Sequence, residues 1–167
     1  AALLPDTYNP IKAVRKRFKA LGLSEFSATS ILLASEALTM AGLTDEEGRV
    51  DKEKVDPRQV AGWVSSGYAA TDKMIDVHNI IREGKYRVLP SLSLQLFPEQ
   101  GNGRAAGILG YKGPGGNTME ACATGASNIV EAYQKIKQGK AQVAVAGGLE
   151  TVPMTHLFSY NYMDQIV

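Results

Sequence analysis

Residues 120–150 read EACATGASNIVEAYQKIKQGKAQVAVAGGLE, and they decide the fold class. Between positions 123 and 138 the apolar Ala126, Ile129, Val130, Tyr133 and Ile136 recur every three to four residues, with Glu131, Gln134, Lys135 and Gln138 between them. That is the period of an amphipathic helix, so the stripe is expected to pack on a core and the polar residues to face away. Lys135 and Lys137 place positive charge at the helix C-terminus and Gly139 ends it. AQVAVAGG (141–148) then reads as a strand whose "VAVA" run suits burial on both faces, and NTMEA (117–121) reads as a short strand before the helix. Strands alternating with helices imply α/β architecture with a largely parallel sheet.

The upstream sequence extends this pattern. The segment to Gly22 carries Lys12, Arg15, Lys16, Arg17 and Lys19, with Val14 and Phe18 at helical spacing, and reads as a surface helix. SATSILLASEALTMAGL (27–43) has one charge, Glu36, across a helix-length run, so it is expected to be buried on most sides. DEEGRVDKEKVDPRQ (45–59) is a charged surface connection in which Pro57 stops any helix. VAGWVSSG (60–67) reads as an interior strand and turn. TDKMIDVHNIIREG (71–84) reads as a helix with Thr71 as N-cap, Met74, Val77 and Ile81 on one face and Gly84 as the stop. GNGRAAGILGYKGPGG (101–116) is expected to hold a short helix near 102–109 and then a turn.

Composition narrows the function. The chain has 167 residues, 44% apolar and 21% charged, with 18 basic against 17 acidic side chains. Such a length can bury roughly 70% of the surface its unfolded form exposes. The balanced charge argues against a nucleic-acid partner. One cysteine makes no intramolecular disulfide, and without a Cys/His cluster no metal site is expected, which fits a reducing compartment. No run approaches about 18 uninterrupted apolar residues, and the N-terminal charges follow the short apolar part, the reverse of a secretory signal. A cytoplasmic protein with no membrane partner is therefore expected.

The one cysteine, Cys122, is the candidate nucleophile. A lone cysteine is often only a small buried hydrophobe. Here it falls at a strand-to-helix junction, where a helix start offers partial positive charge and unpaired backbone N–H groups that favour the thiolate. Ala121, Ala123, Gly125 and Ala126 add no bulk, so a substrate could reach the sulfur, and the amide of Cys122 could donate to the oxyanion of an attacked thioester.

EACATGASNIVEAYQKIKQGKAQVAVAGGLE closely resembles the active-site segment of β-ketoacyl-acyl carrier protein synthases, the condensing enzymes of fatty acid and polyketide synthesis. The shared pattern is Ala-Cys-Ala-Thr at the nucleophile, a helix ending in glycine, a strand of small and branched residues, then Ala146, Gly147, Gly148 and Glu150. ILLASEALTMAGL, VAGWVSSGYAA and GNGRAAGILGYKGPGG resemble the family's buried helix, its strand and glycine turn, and its approach to the nucleophile strand. The resemblance implies a thiolase-like fold, layered α/β/α with a mixed, largely parallel sheet. It implies that Cys122 accepts an acyl group carried on the phosphopantetheine of acyl carrier protein and condenses it with a decarboxylating malonyl thioester. No further cofactor is implied. Acyl carrier protein is the implied partner, and a homodimer is implied whose interface includes Asn117 to Ala121.

The family also uses two histidines and a lysine from the C-terminal half of its fold. This sequence holds only His78 and His156, neither in the family's surroundings, and both read as structural. The family's first strand and its glycine-rich second oxyanion donor are also missing. Members need more than twice this length, so residues 1–167 are expected to be the N-terminal half of a larger synthase, inactive alone in condensation. Two alternatives share the fold: a thiolase acting on coenzyme A thioesters, which favours Cys-Ala-Ser-Gly over the Cys122-Ala123-Thr124-Gly125 found here, and a non-catalytic chain-length partner, which usually replaces the cysteine. A dinucleotide site at Gly101, Gly103 and Gly107 fails on spacing, and these glycines are expected instead to permit close packing.

Overall fold

In the computed structural model, residues 8–68, 71–84 and 95–151 are described. His156, the start of the alternating run at 91–94 and the side chain of Thr71 lie outside them.

Helix α1 (Pro10–Phe18) starts where Asn9 accepts from the Lys12 amide at 2.9 Å and Pro10 sets the first turn. It buries Val14 and Phe18, as the spacing predicts. Helix α2 (Glu25–Met40) is capped by Ser24, whose hydroxyl accepts from the Ser27 amide at 3.1 Å. Phe26, Ile31 and Leu38 are its largest fully buried side chains, each worth about 1.5–3 kcal/mol of burial. The helix is less enclosed than its composition suggests, because Leu33 and Met40 stand in the open. The charged connection that follows is not purely superficial either: it buries Val50 and Val55 beneath a turn closed by the antiparallel bridge Thr44–Val50.

Strand β1 (Val60–Ser65) is buried at every position. Helix α3 (Thr71–Arg82) ends at Gly84, where φ is +71°; its expected apolar face remains open, with Met74 and Ile81 exposed and Val77 half-buried. Helix α4 (Gln100–Leu109) lies against α2 and β1. A Cβ on Gly101 would stand 2.6 Å from the Phe26 ring, so the close-packing role holds there; Gly103 and Gly107 face open space. At Gly62 an added Cβ would meet Asn102 Oδ1 at 2.1 Å, and Tyr111 donates to that same oxygen at 3.0 Å. Burial pushes the Tyr111 phenol above the usual tyrosine range.

Strand β2 is only Gly115–Gly116, helix α5 spans Thr124–Lys137 and strand β3 spans Val143–Gly148. The three strands order as β2-β1-β3 and all pair in parallel, with Val60 opposite Val143 and Ser65 opposite Gly148. The α/β class and the parallel sheet are as expected, but NTMEA is not a strand. Its backbone leaves the ladder because the Thr118 and Glu120 amides donate to the side chains of Asn128 and Thr124.

The face of α5 is also corrected. Thr124, Asn128 and Ala132 are the residues it buries, whereas Ile129, Val130, Tyr133 and Ile136 are 40–60% exposed. The sheet end offers hydroxyls and carbonyls in place of an apolar surface, so the polar, small-residue side of the helix turns inward. Lys135, expected to face away, lies with its Nζ 5.6 Å from the Trp63 ring centroid and pairs with Glu131 at 3.3 Å. Only Val145 of β3 is buried, so the double cover expected from VAVA is incomplete among the described residues. No helix among them is long and apolar enough to cross a membrane.

Candidate active site

The carboxyl ends of β1 and β3 and the start of α5 converge on one point, the usual place for a ligand in a parallel α/β sheet. After Ser65 the chain turns at Gly67, and after Gly148 it reaches Glu150. The Glu150 carboxylate ties these two strand ends together, accepting from Ser66 Oγ at 2.6 Å and from the Gly67 amide at 2.5 Å. Glycine at 67 is required by the third segment: a Cβ there would stand 2.8 Å from the carbonyl oxygen of Ala121. Helix α5 is seated equally closely, since a Cβ on Gly148 would come within 2.9 Å of Gly125 Cα.

Cys122 occupies a 3-10 turn, Ala121–Ala123, that leads directly into α5, and it is exposed. The residue before it, Ala121, has φ +47°, a left-handed conformation that costs a non-glycine residue about 1–2 kcal/mol. A network of side chains sustains that turn. Asn128 is fully buried and uses its whole amide: Nδ2 donates to Ser65 Oγ and to the Gly147 carbonyl at 2.8 Å each, and Oδ1 accepts from the Thr118 amide and hydroxyl at 3.0 Å each. Ser65 Oγ in turn donates to the Thr118 carbonyl at 2.7 Å. The Glu120 amide donates to Thr124 Oγ1 at 2.8 Å, and Ser127 donates to the Glu120 carboxylate.

The result is a cleft of about 260 Å³ lined by Ala121, Cys122, Thr124, Gly125, Gly148, Leu149 and Glu150. Ala121, Thr124, Gly125 and Gly148 add little bulk beside the sulfur, which leaves room for an extended ligand to reach it. Ala123, at the N-cap position of α5, makes no side-chain cap hydrogen bond.

The structure therefore brings Cys122 together with Gly148 and Glu150, three of the residues singled out in the sequence, and leaves His78 exposed on α3. Asn128 and Thr118 were missed. The available signal was the i, i+4, i+8 series Thr124, Asn128 and Ala132, a narrow stripe of small or hydrogen-bonding residues overshadowed by the larger apolar one. Among the described residues no group of three or more His, Cys, Asp or Glu side chains forms a metal site.

Residues 13–161 match the family described as "Beta-ketoacyl synthase, N-terminal domain". The 3-oxoacyl-[acyl-carrier-protein] synthase 2 of Staphylococcus aureus is 31% identical over 140 residues, 83% of this chain and 33% of that protein. The protein of the same name from Mycobacterium bovis is 27% identical over 99 residues, 59% of this chain and 24% of its own length. The chain thus spans about a third or less of the length of these curated relatives. Among solved structures, a β-ketoacyl synthase from Burkholderia phymatum superposes with a TM-score of 0.76 at 20% identity, covering 96% of this chain and 38% of that one. A type II polyketide ketosynthase, solved in complex with its acyl-carrier protein, gives 0.70 at 22% identity, covering 87% and 40%. At these identities the two structures speak for the fold, which is the one the sequence resemblance implies.

Proposed function

Because the chain belongs to the β-ketoacyl synthase family, we propose that it is the nucleophile-bearing N-terminal half of a β-ketoacyl-acyl carrier protein synthase, with Cys122 as the acyl acceptor. The observation that carries this reading is the exposed cysteine in a strained turn at the head of α5, over a cleft at the carboxyl ends of parallel strands.

The chemistry runs in two halves. The Cys122 thiolate adds to the carbonyl of an acyl group held as a thioester on the carrier's phosphopantetheine. The oxyanion takes a hydrogen bond from the backbone amide of Cys122, and its collapse expels the carrier's phosphopantetheine as a thiolate. A malonyl thioester then loses carbon dioxide, and the resulting enolate carbon attacks the acyl-cysteine carbonyl. The new carbon–carbon bond releases the thiolate and leaves a β-ketoacyl thioester on the second carrier. The histidines and lysine that the family uses for the enolate step belong to the part of the fold beyond this chain. Residues 1–167 alone should therefore take the acyl group and stop there.

The carrier protein is accordingly the proposed partner, and the pathway is fatty acid or polyketide synthesis. The open apolar stripe of α5 supports burial by the rest of the synthase. Exposed Met119, within Asn117–Ala121, supports that segment as part of a homodimer interface. The single cysteine, held as a free thiol, is consistent with a cytoplasmic setting. The presence of Cys122 disfavours the non-catalytic partner, and the Ala121-Cys122-Ala123-Thr124 pattern disfavours a thiolase. In the complete synthase, mixing acyl- and malonyl-carrier protein should yield the β-ketoacyl carrier by mass spectrometry. Undiminished product from the Cys122→Ala variant would refute the assignment.

A further inference from the structure

Glu120 is bound to the helix side of the nucleophile turn through three of its own groups. Its carbonyl accepts from the Ala123 amide at 2.9 Å, its amide donates to Thr124 Oγ1 at 2.8 Å, and its carboxylate accepts from Ser127 Oγ. The first two bonds are local to the turn. The third spans seven residues, joining the segment before Cys122 to the start of the helix after it. It is also the charged one, set beside a helix start that Ala123 leaves uncapped, where a carboxylate is favoured. Gly67 approaches the Ala121 backbone so closely that no Cβ fits. The left-handed Ala121 thus packs on Gly67 and directly follows the residue that makes this bond.

We propose that Glu120 and Ser127 form a clasp between the chain before Cys122 and the helix after it, and that they are positioning residues which keep the strained turn in place and the sulfur at its cleft. The proposal rests on Cys122 being the acyl acceptor. Its content is that the hydrogen bond itself, more than the charge of Glu120, sustains reactivity. Glu120 and Ser127 line a separate cleft of about 250 Å³ with Thr118, Ala126, Val130 and Glu131, outside the residues that line the Cys122 cleft. They therefore act through the turn rather than on the substrate.

The test is a double-mutant cycle on Glu120→Ala and Ser127→Ala, with Glu120→Gln as the rescue, since glutamine keeps an oxygen to accept from Ser127. The first readout is the rate at which a short acyl N-acetylcysteamine thioester acylates Cys122, followed by intact mass. The second is the rate of iodoacetamide alkylation of Cys122, and melting temperature is recorded for each variant. A charged hydrogen bond in a partly exposed turn should be worth about tenfold in acylation rate. Each single variant is expected to lose about that factor, the double variant no more than the worse single, and Glu120→Gln to return within about threefold of the parent. Additive losses, unchanged rates, or a glutamine variant as slow as the alanine one would overturn the clasp. If the parent chain takes no acyl group, the nucleophile reading fails, and the alkylation rates judge the clasp separately. There the two singles and the double must change equally and glutamine must restore the parent rate; any other pattern refutes it.

Discussion

Replacing Asn128 by alanine should cost the protein about 4 kcal/mol. Its side chain is fully buried and makes four hydrogen bonds of 2.8–3.0 Å, joining α5 to β1, to β3 and to the segment before Cys122. Each such bond contributes about 1 kcal/mol net, and truncation also strands partners that have been withdrawn from water. A domain of this kind has a total stability of only about 5–15 kcal/mol. At roughly 2–4 °C per kcal/mol for this size, the melting temperature should fall by about 8–16 °C. Urea unfolding followed by Trp63 fluorescence measures the loss directly, because Trp63 is the sole tryptophan and lies in β1, the strand that carries Ser65. The near-isosteric Asn128→Asp is expected to be at least as harmful near neutral pH, since it sets a carboxylate oxygen against the Gly147 carbonyl. A loss below about 1 kcal/mol in the alanine variant would refute the view that this amide is the joint of the site.

Two other consequences can be checked on the same protein. The raised Tyr111 phenol keeps its proton in the folded state at pH values where the unfolded chain has begun to lose it, so stability should fall as pH rises above about 10. Tyr111→Phe should flatten that alkaline loss while costing about 1–2 kcal/mol at pH 7 through the unpaired Asn102 oxygen, both read from urea midpoints. On α5, Ile129→Lys combined with Tyr133→Glu should change the melting temperature of the 167-residue chain by no more than a few degrees, because both side chains are more than half exposed. A large loss of stability would mean that the stripe is packed.

Much of the fold was legible because the periodicities are strong. Val14 and Phe18, the run Val60–Ser65, and helix α5 with its glycine stop all appear where their patterns put them. What failed was the inference from periodicity to orientation. Ile129, Val130 and Tyr133 form the more apolar side of α5, yet the sheet end presents Ser65 Oγ and the Gly147 carbonyl, which only a residue such as Asn128 can satisfy. NTMEA has the composition of a strand, but its amides at Thr118 and Glu120 are claimed by side chains ten and four residues ahead, which the strand-like composition does not reveal. The site followed the same division. Cys122, Gly148 and Glu150 stood out as motif residues, while the parts that shape the turn, among them the left-handed Ala121 and the Glu120–Ser127 bond, depend on backbone geometry.

Acyl transfer to Cys122 can be read by peptide mapping with mass spectrometry after incubation of the 167-residue chain with an acyl-carrier protein, quenched in acid to preserve thioesters. One acyl adduct is expected, on the peptide containing Cys122, absent from a Cys122→Ser variant that melts within a few degrees of the parent. An unmodified Cys122 peptide, or an adduct that persists in the serine variant at another residue, would contradict Cys122 as the acyl acceptor.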